Sequence, residues 1–73
     1  MKREPVQSTL LRSVGYEPAR RRLEVEFVGG AVYEYYGVPP QVVARLAKAP
    51  SLGHFFNRTI KPRYIFRRLP GEF

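Results

Sequence analysis

The chain has no cysteine, no tryptophan, a single histidine, and fewer than half as many acids as bases. Without cysteine there is no disulfide staple, no thiolate metal site and no sulfur nucleophile. That fits a cytoplasmic protein. No apolar run approaches the roughly 18 residues needed to cross a bilayer. The polar opening Met1–Glu4 argues against a signal peptide. The lone His54, with no cysteine and no spaced pair of acids, leaves no triad and no metal-ligand set. His54 with Arg58 one turn later lacks a second general acid or base. Gly29-Gly30 is not followed by Gly-Lys-Ser/Thr, so it reads as a hairpin loop and not a phosphate cradle. The expectation is a protein that is not an enzyme and takes no metal and no cofactor. Internal repeats and low-complexity linkers are also missing.

What remains is 73 residues, enough for one domain. A domain of this size buries only roughly 60% of the surface its unfolded chain exposes. Its stability must come from the aliphatics with five tyrosines and five phenylalanines. Each buried ring removes roughly 150–250 Å² from water. Thirteen bases against six acids give a net charge of +7, which favours an anionic partner. Ten of the thirteen are arginine, suited to bidentate phosphate contacts, although a GC-rich genome would produce the same preference.

Residues 1–7 carry Pro5 and several charges and read as a flexible arm before a domain over 8–69; residues 70–73 read as a frayed C-terminus. Thr9–Tyr16 reads as a strand, with Leu10, Val14 and Tyr16 on one parity. Glu17–Arg21 reads as a turn built on Pro18. Arg22–Phe27 alternates cleanly, with Leu23, Val25 and Phe27 on one face and Glu24 and Glu26 on the other. The next strand, Ala31–Tyr36, can pair with it in two registers. A two-residue loop sets Val25 opposite Glu34, which strands a carboxylate among apolar residues. A three-residue loop, Val28–Gly30, sets Val25 opposite Tyr33 and Leu23 opposite Tyr35, so all apolar side chains share one face. The second register is expected, with a left-handed glycine closing the loop. Tyr33 and Tyr35 then belong to the core, while Glu24, Glu26, Glu34 and Tyr36 face water.

Pro40 can open a helix over residues 40–49, whose apolar stripe is Val42, Val43, Leu46 and Ala49. Ser51 caps a second helix with the stripe Leu52, Phe55, Phe56 and Ile60, and Pro62 stops it. Arg63–Leu69 is either a short edge strand or a pinned extended tail. The fold class expected is α+β: a three-stranded antiparallel meander (β-β-β-α-α) with two short helices on one face and a possible short extra C-terminal strand.

Three stretches together resemble the KTSC domain family, named for a segment at the C-terminus of some lysyl-tRNA synthetases and also found as stand-alone bacterial proteins. They are Leu23–Phe27 (LEVEF); Tyr33-Glu34-Tyr35 followed by Gly37-Val38-Pro39; and Ser51-x-Gly53-x-x-Phe56-Asn57 ending in Ile60. Val14–Pro18 is similar to the family's first strand and turn, so the resemblance spans about residues 8–66. It implies no established chemistry; RNA binding is the activity suggested for the family. No role passes to His54 or Phe55.

Two surfaces could meet an anion. Tyrosines on an open sheet face could stack bases, but three carboxylates there would repel phosphate, so the core reading is preferred for Tyr33 and Tyr35, with Phe56 packed against them. The polar side of the second helix with the basic tail is the better candidate: Asn57, Arg58, Lys61, Arg63, Arg67 and Arg68, with Tyr64 or Phe66 offering a ring. Asn57 could equally make an ordinary structural hydrogen bond. Arg20–Arg22 could be a second phosphate contact, but a solvated turn is the preferred reading. The expected function is a module that binds RNA or another nucleic acid with little base specificity. The alternative is a protein-interaction module, either a homodimer or a partner of an acidic protein, joined through an edge strand or the Tyr64–Leu69 segment. Exposed apolar side chains at Ile65 and Leu69 would favour that alternative.

Overall fold

A computed structural model describes residues 3–70. Five strands form one antiparallel sheet in sequential order: β1 (Glu4–Pro5), β2 (Leu11–Glu17), β3 (Arg22–Phe27), β4 (Val32–Tyr35) and β5 (Phe66–Arg68). Helices α1 (Pro40–Lys48) and α2 (Leu52–Phe55) lie between β4 and β5, and α2 continues into a wider π turn, Phe56–Ile60. The architecture is α+β as expected, but the sheet has five strands and not three.

The two extra strands are at the edges. Segment 1–7, expected as a flexible arm, contributes Glu4–Pro5, which pairs with Val14 and Ser13 of β2. A proline fits there because an edge strand has one side with no ladder partner to supply. At the other edge Phe66–Arg68 pairs with Tyr33–Tyr35, so the ambiguous tail is a strand. Of the expected frayed end, residues 71–73 lie outside the described residues.

The central hairpin has the register argued from side-chain pattern. Leu23 pairs with Tyr35 and Val25 with Tyr33. The loop closes with Phe27 N–H on Ala31 O at 2.8 Å and Gly30 N–H on Phe27 O at 2.8 Å. Gly30 sits at φ +97°, a conformation that costs a side-chain-bearing residue strain.

The first strand departs from simple alternation. A bulge between Leu11 and Ser13 shifts its register. Leu11, Val14 and Tyr16 therefore share the core face, and Leu11 takes the fully buried place expected of Leu10. Leu10 instead lies against Gly53 at the start of α2, where a Cβ would sit 3.1 Å from its own.

Leu11, Leu23, Val25, Tyr35, Val38, Leu46, Phe55, Phe56 and Ile60 form the buried core between the sheet and the helices. Rings interlock edge-on: Phe56 to Phe27 at 5.5 Å and to Tyr35 at 5.4 Å between centroids. Tyr33 is half-buried at the rim of this core. The Tyr16 hydroxyl donates to Val38 O at 2.6 Å and ties the chain leaving β4 back to β2.

Burial, with the neighbouring Tyr33, pushes the Tyr35 hydroxyl up to about 12. In the unfolded chain it would ionise near 10. The folded state thus holds the proton more tightly, so this contribution is complete below pH 10 and disappears as the pH climbs toward 12. Alkaline unfolding of the native chain should show a loss of roughly 2 kcal/mol across that window that Tyr35→Phe lacks. Identical alkaline limbs for the two chains would contradict it.

Candidate nucleic-acid interface

Asn57 and Arg58 project from the π turn, and Lys61 and Arg63 from the turn that follows; all four are exposed. The π turn ends with Lys61 N–H on Phe56 O at 2.9 Å, and Pro62 after it has no N–H to donate. Tyr64 is half-buried against the core, and its N–H reaches Ile60 O at 3.3 Å. Asn57 makes no side-chain hydrogen bond to another described residue, so the structural role considered for it has no partner there.

The strand β5 divides the expected basic set. Arg68 registers with Tyr33, on the helical side of the sheet. Arg67 registers with Glu34, on the opposite, open side. Alternation along a strand makes this unavoidable. Arg68 stays on the side of the sheet that carries the helices, where Asn57, Arg58, Lys61 and Arg63 lie on the π turn and the turn after it, and Arg67 leaves the group.

Phe66 belongs to the same side. It is 50% exposed, and its ring lies 5.4 Å from that of Tyr33 and 5.5 Å from that of Tyr35. One face of an aromatic ladder is thus open to solvent on the side of β5 that also carries Arg68. Ile65 next to it is 79% exposed, and Leu69 is half-buried.

The open face of the sheet differs from expectation. Glu24 and Glu34 are cross-strand neighbours and only 7% and 8% exposed. Like charges opposite one another are unfavourable, so counter-charges cover them. Arg3 reaches back from the arm to Glu24 and donates to Ser13 Oγ at 3.1 Å. Arg12 stands 3.6 Å from Glu26, which also accepts from Ser13 Oγ at 2.8 Å. Arg22 stands 3.9 Å from Glu34, and its guanidinium lies over the Tyr36 ring at 5.6 Å. The Tyr36 hydroxyl donates to Glu34 at 2.7 Å, a bond that raises its pKa. The carboxylates neither face water freely nor present bare negative charge. A shallow basin of about 700 Å³ lies over Ser13, Glu24 and Glu26, but these groups already bond to one another and to arginines.

The charge is segregated. From Tyr35 to Gly71 there are seven bases (Arg45, Lys48, Arg58, Lys61, Arg63, Arg67 and Arg68) and no acid. Among the described residues none of the seven forms an ion pair; the three pairs present use Arg3, Arg12 and Arg22. Arg45 and Lys48 lie in the last turn of α1, where they also oppose the helix dipole. No helix among the described residues is long and apolar enough to cross a membrane.

Comparison with known proteins gives this arrangement a family. The KTSC domain model matches residues 7–64. A protein of Stutzerimonas stutzeri (strain A1501) is 53% identical over 64 residues, covering 88% of this chain and 90% of its own. A lysine–tRNA ligase of Nostoc punctiforme is 40% identical over 63 residues, which is 86% of this chain but only 11% of the ligase. Among solved structures, a KTSC domain protein from Yersinia pestis superposes with a TM-score of 0.89 at 37% identity, covering 94% of this chain and 97% of that one. The chain belongs to the KTSC domain family.

Proposed function

We propose that the protein is a small non-enzymatic module that binds single-stranded RNA, or nucleic acid more generally, through the helical side of its C-terminal half. The acid-free run of bases from the helices to β5, none of them in an ion pair among the described residues, carries this reading. Arg58, Lys61, Arg63 and Arg68 hold phosphates, and Phe66 offers its open ring to one base. Base–aromatic stacking is worth about 1–3 kcal/mol and tolerates any base, so little sequence preference follows. The match to part of a lysine–tRNA ligase supports the reading, because that enzyme's name includes an RNA. A soluble cytoplasmic setting, with RNA as the partner, is part of the same proposal.

The test is a salt titration of binding to labelled single-stranded RNA and DNA. Four phosphates on a single strand give a slope of log affinity against log salt of about −2.8. Affinity should then fall about fiftyfold between roughly 50 and 200 mM salt. A slope near zero, or no binding at the lower salt, would remove the proposal.

A further inference from the structure

The two edges of the sheet are unequal. At β1 the edge is two residues long and carries Pro5, which cannot donate to a partner strand. At β5 the edge is free among the described residues. Tyr36 N–H bonds to Ile65 O at 2.9 Å and Leu69 N–H to Val32 O at 2.9 Å. Hydrogen-bonded positions alternate in an antiparallel ladder. Ile65, Arg67 and Leu69 therefore turn their backbone groups inward to β4, and Phe66 and Arg68 turn theirs outward. Two N–H and two C=O groups stand ready for one more strand.

Side chains at that edge select the strand. In the register that pairs Phe66 with Arg68, a second copy of this chain would set Arg67 against Arg67, placing like charges in direct opposition. A strand with acids opposite Arg68 and Arg67 meets both cations, and apolar residues opposite Phe66 and Ile65 would cover surface that is 50% and 79% exposed. In an antiparallel partner, read from its N-terminus, that order is acid, acid, apolar, apolar. We infer that the outer edge of β5 accepts an acidic, extended segment of another protein as a sixth strand of the sheet. This surface is built from the outward backbone groups of Phe66 and Arg68. It shares those two side chains with the proposed nucleic-acid surface but not Arg58, Lys61 or Arg63. Loss of RNA binding in Arg58→Ala/Arg63→Ala and loss of peptide binding in Arg68→Pro relative to Arg68→Ala therefore tell the two readings apart.

The probe is a capped peptide whose core is two glutamates followed by two valines, titrated into the full chain and followed by amide NMR. Binding should protect the amides of Phe66 and Arg68 from hydrogen exchange and leave those of α1 unmoved. The peptide with lysines in place of the glutamates should bind at least tenfold more weakly. Arg68→Pro removes an outward N–H without touching the ladder to β4, whereas Arg68→Ala removes only the charge. The proline variant should bind at least tenfold more weakly than the alanine variant. A far-ultraviolet spectrum unchanged from the native chain would show that it folds. Shifts confined to the helical side, equal binding of the lysine peptide, or equal affinity of the two variants would overturn the inference. So would self-association of the chain through the Phe66 and Arg68 amides.

Discussion

At about 0.1 M salt, the Arg58→Ala/Arg63→Ala/Arg68→Ala chain is expected to bind single-stranded RNA about a hundredfold more weakly than the native chain. Each phosphate contact to a single strand contributes about 0.7 to the slope of log affinity against log salt. Three lost contacts remove about 2.1, and over the tenfold interval from about 1 M to 0.1 M salt that difference amounts to about two decades. The slope itself should fall to about −0.7, since Lys61 alone remains. All three substituted side chains are exposed and none is in an ion pair among the described residues, so the fold should survive. Arg67→Ala is the internal control. Its side chain registers with Glu34 on the open face, so it should change affinity by no more than about threefold, as a distant charge would. Equal losses from Arg67→Ala and from the triple substitution would mean that net charge, and not this surface, governs binding.

The second large effect concerns the fold. Phe56→Ala should cost about 3–5 kcal/mol. The ring is fully buried and packs edge-on against Phe27 and Tyr35, so it joins the π turn to the middle of the sheet. A chain this short has a total stability of roughly 4–11 kcal/mol. Thermal unfolding followed by circular dichroism should therefore show a midpoint at least about 15 °C lower. Phe66→Ala, at a half-exposed ring, should cost about 1 kcal/mol. Near-native melting of Phe56→Ala would mean that the helical layer is not held by this ring.

The hairpin register was legible because the alternatives differ by a carboxylate. One pairing puts Glu34 among Leu23, Val25 and Phe27, and the other puts Tyr33 and Tyr35 there. The helices were legible from Pro40, from Ser51, whose hydroxyl accepts His54 N–H at 3.2 Å, and from two apolar stripes. The edges were not. Glu4–Pro5 has no apolar pattern and owes its pairing to Val14 and Ser13. Nor does local alternation reveal the bulge that brings Leu11 inward, since it depends on the partner strand.

The site was read less completely than the fold. Grouping Arg67 with Arg68 treated the tail as one surface; once Phe66–Arg68 is a strand, period-two geometry separates them. The arginine cover on Glu24, Glu26 and Glu34 was invisible because Arg3, Arg12 and Arg22 come from three different strands or their flanks. The carboxylates were expected to keep nucleic acid off that face by repulsion. Their pairing removes that argument. The open face offers no free ring in any case: Tyr36, the tyrosine there, is bonded to Glu34 and lies under Arg22.

The acids of the described chain all lie at or before Glu34, while the later half is wholly cationic. Such a molecule is an electric dipole as well as a net cation. In the field of a polyanion it feels a torque before it makes any contact, and it rotates to arrive with its helices and β5 leading. Few of its random collisions would then need to be undone and repeated, whichever anionic strand it meets.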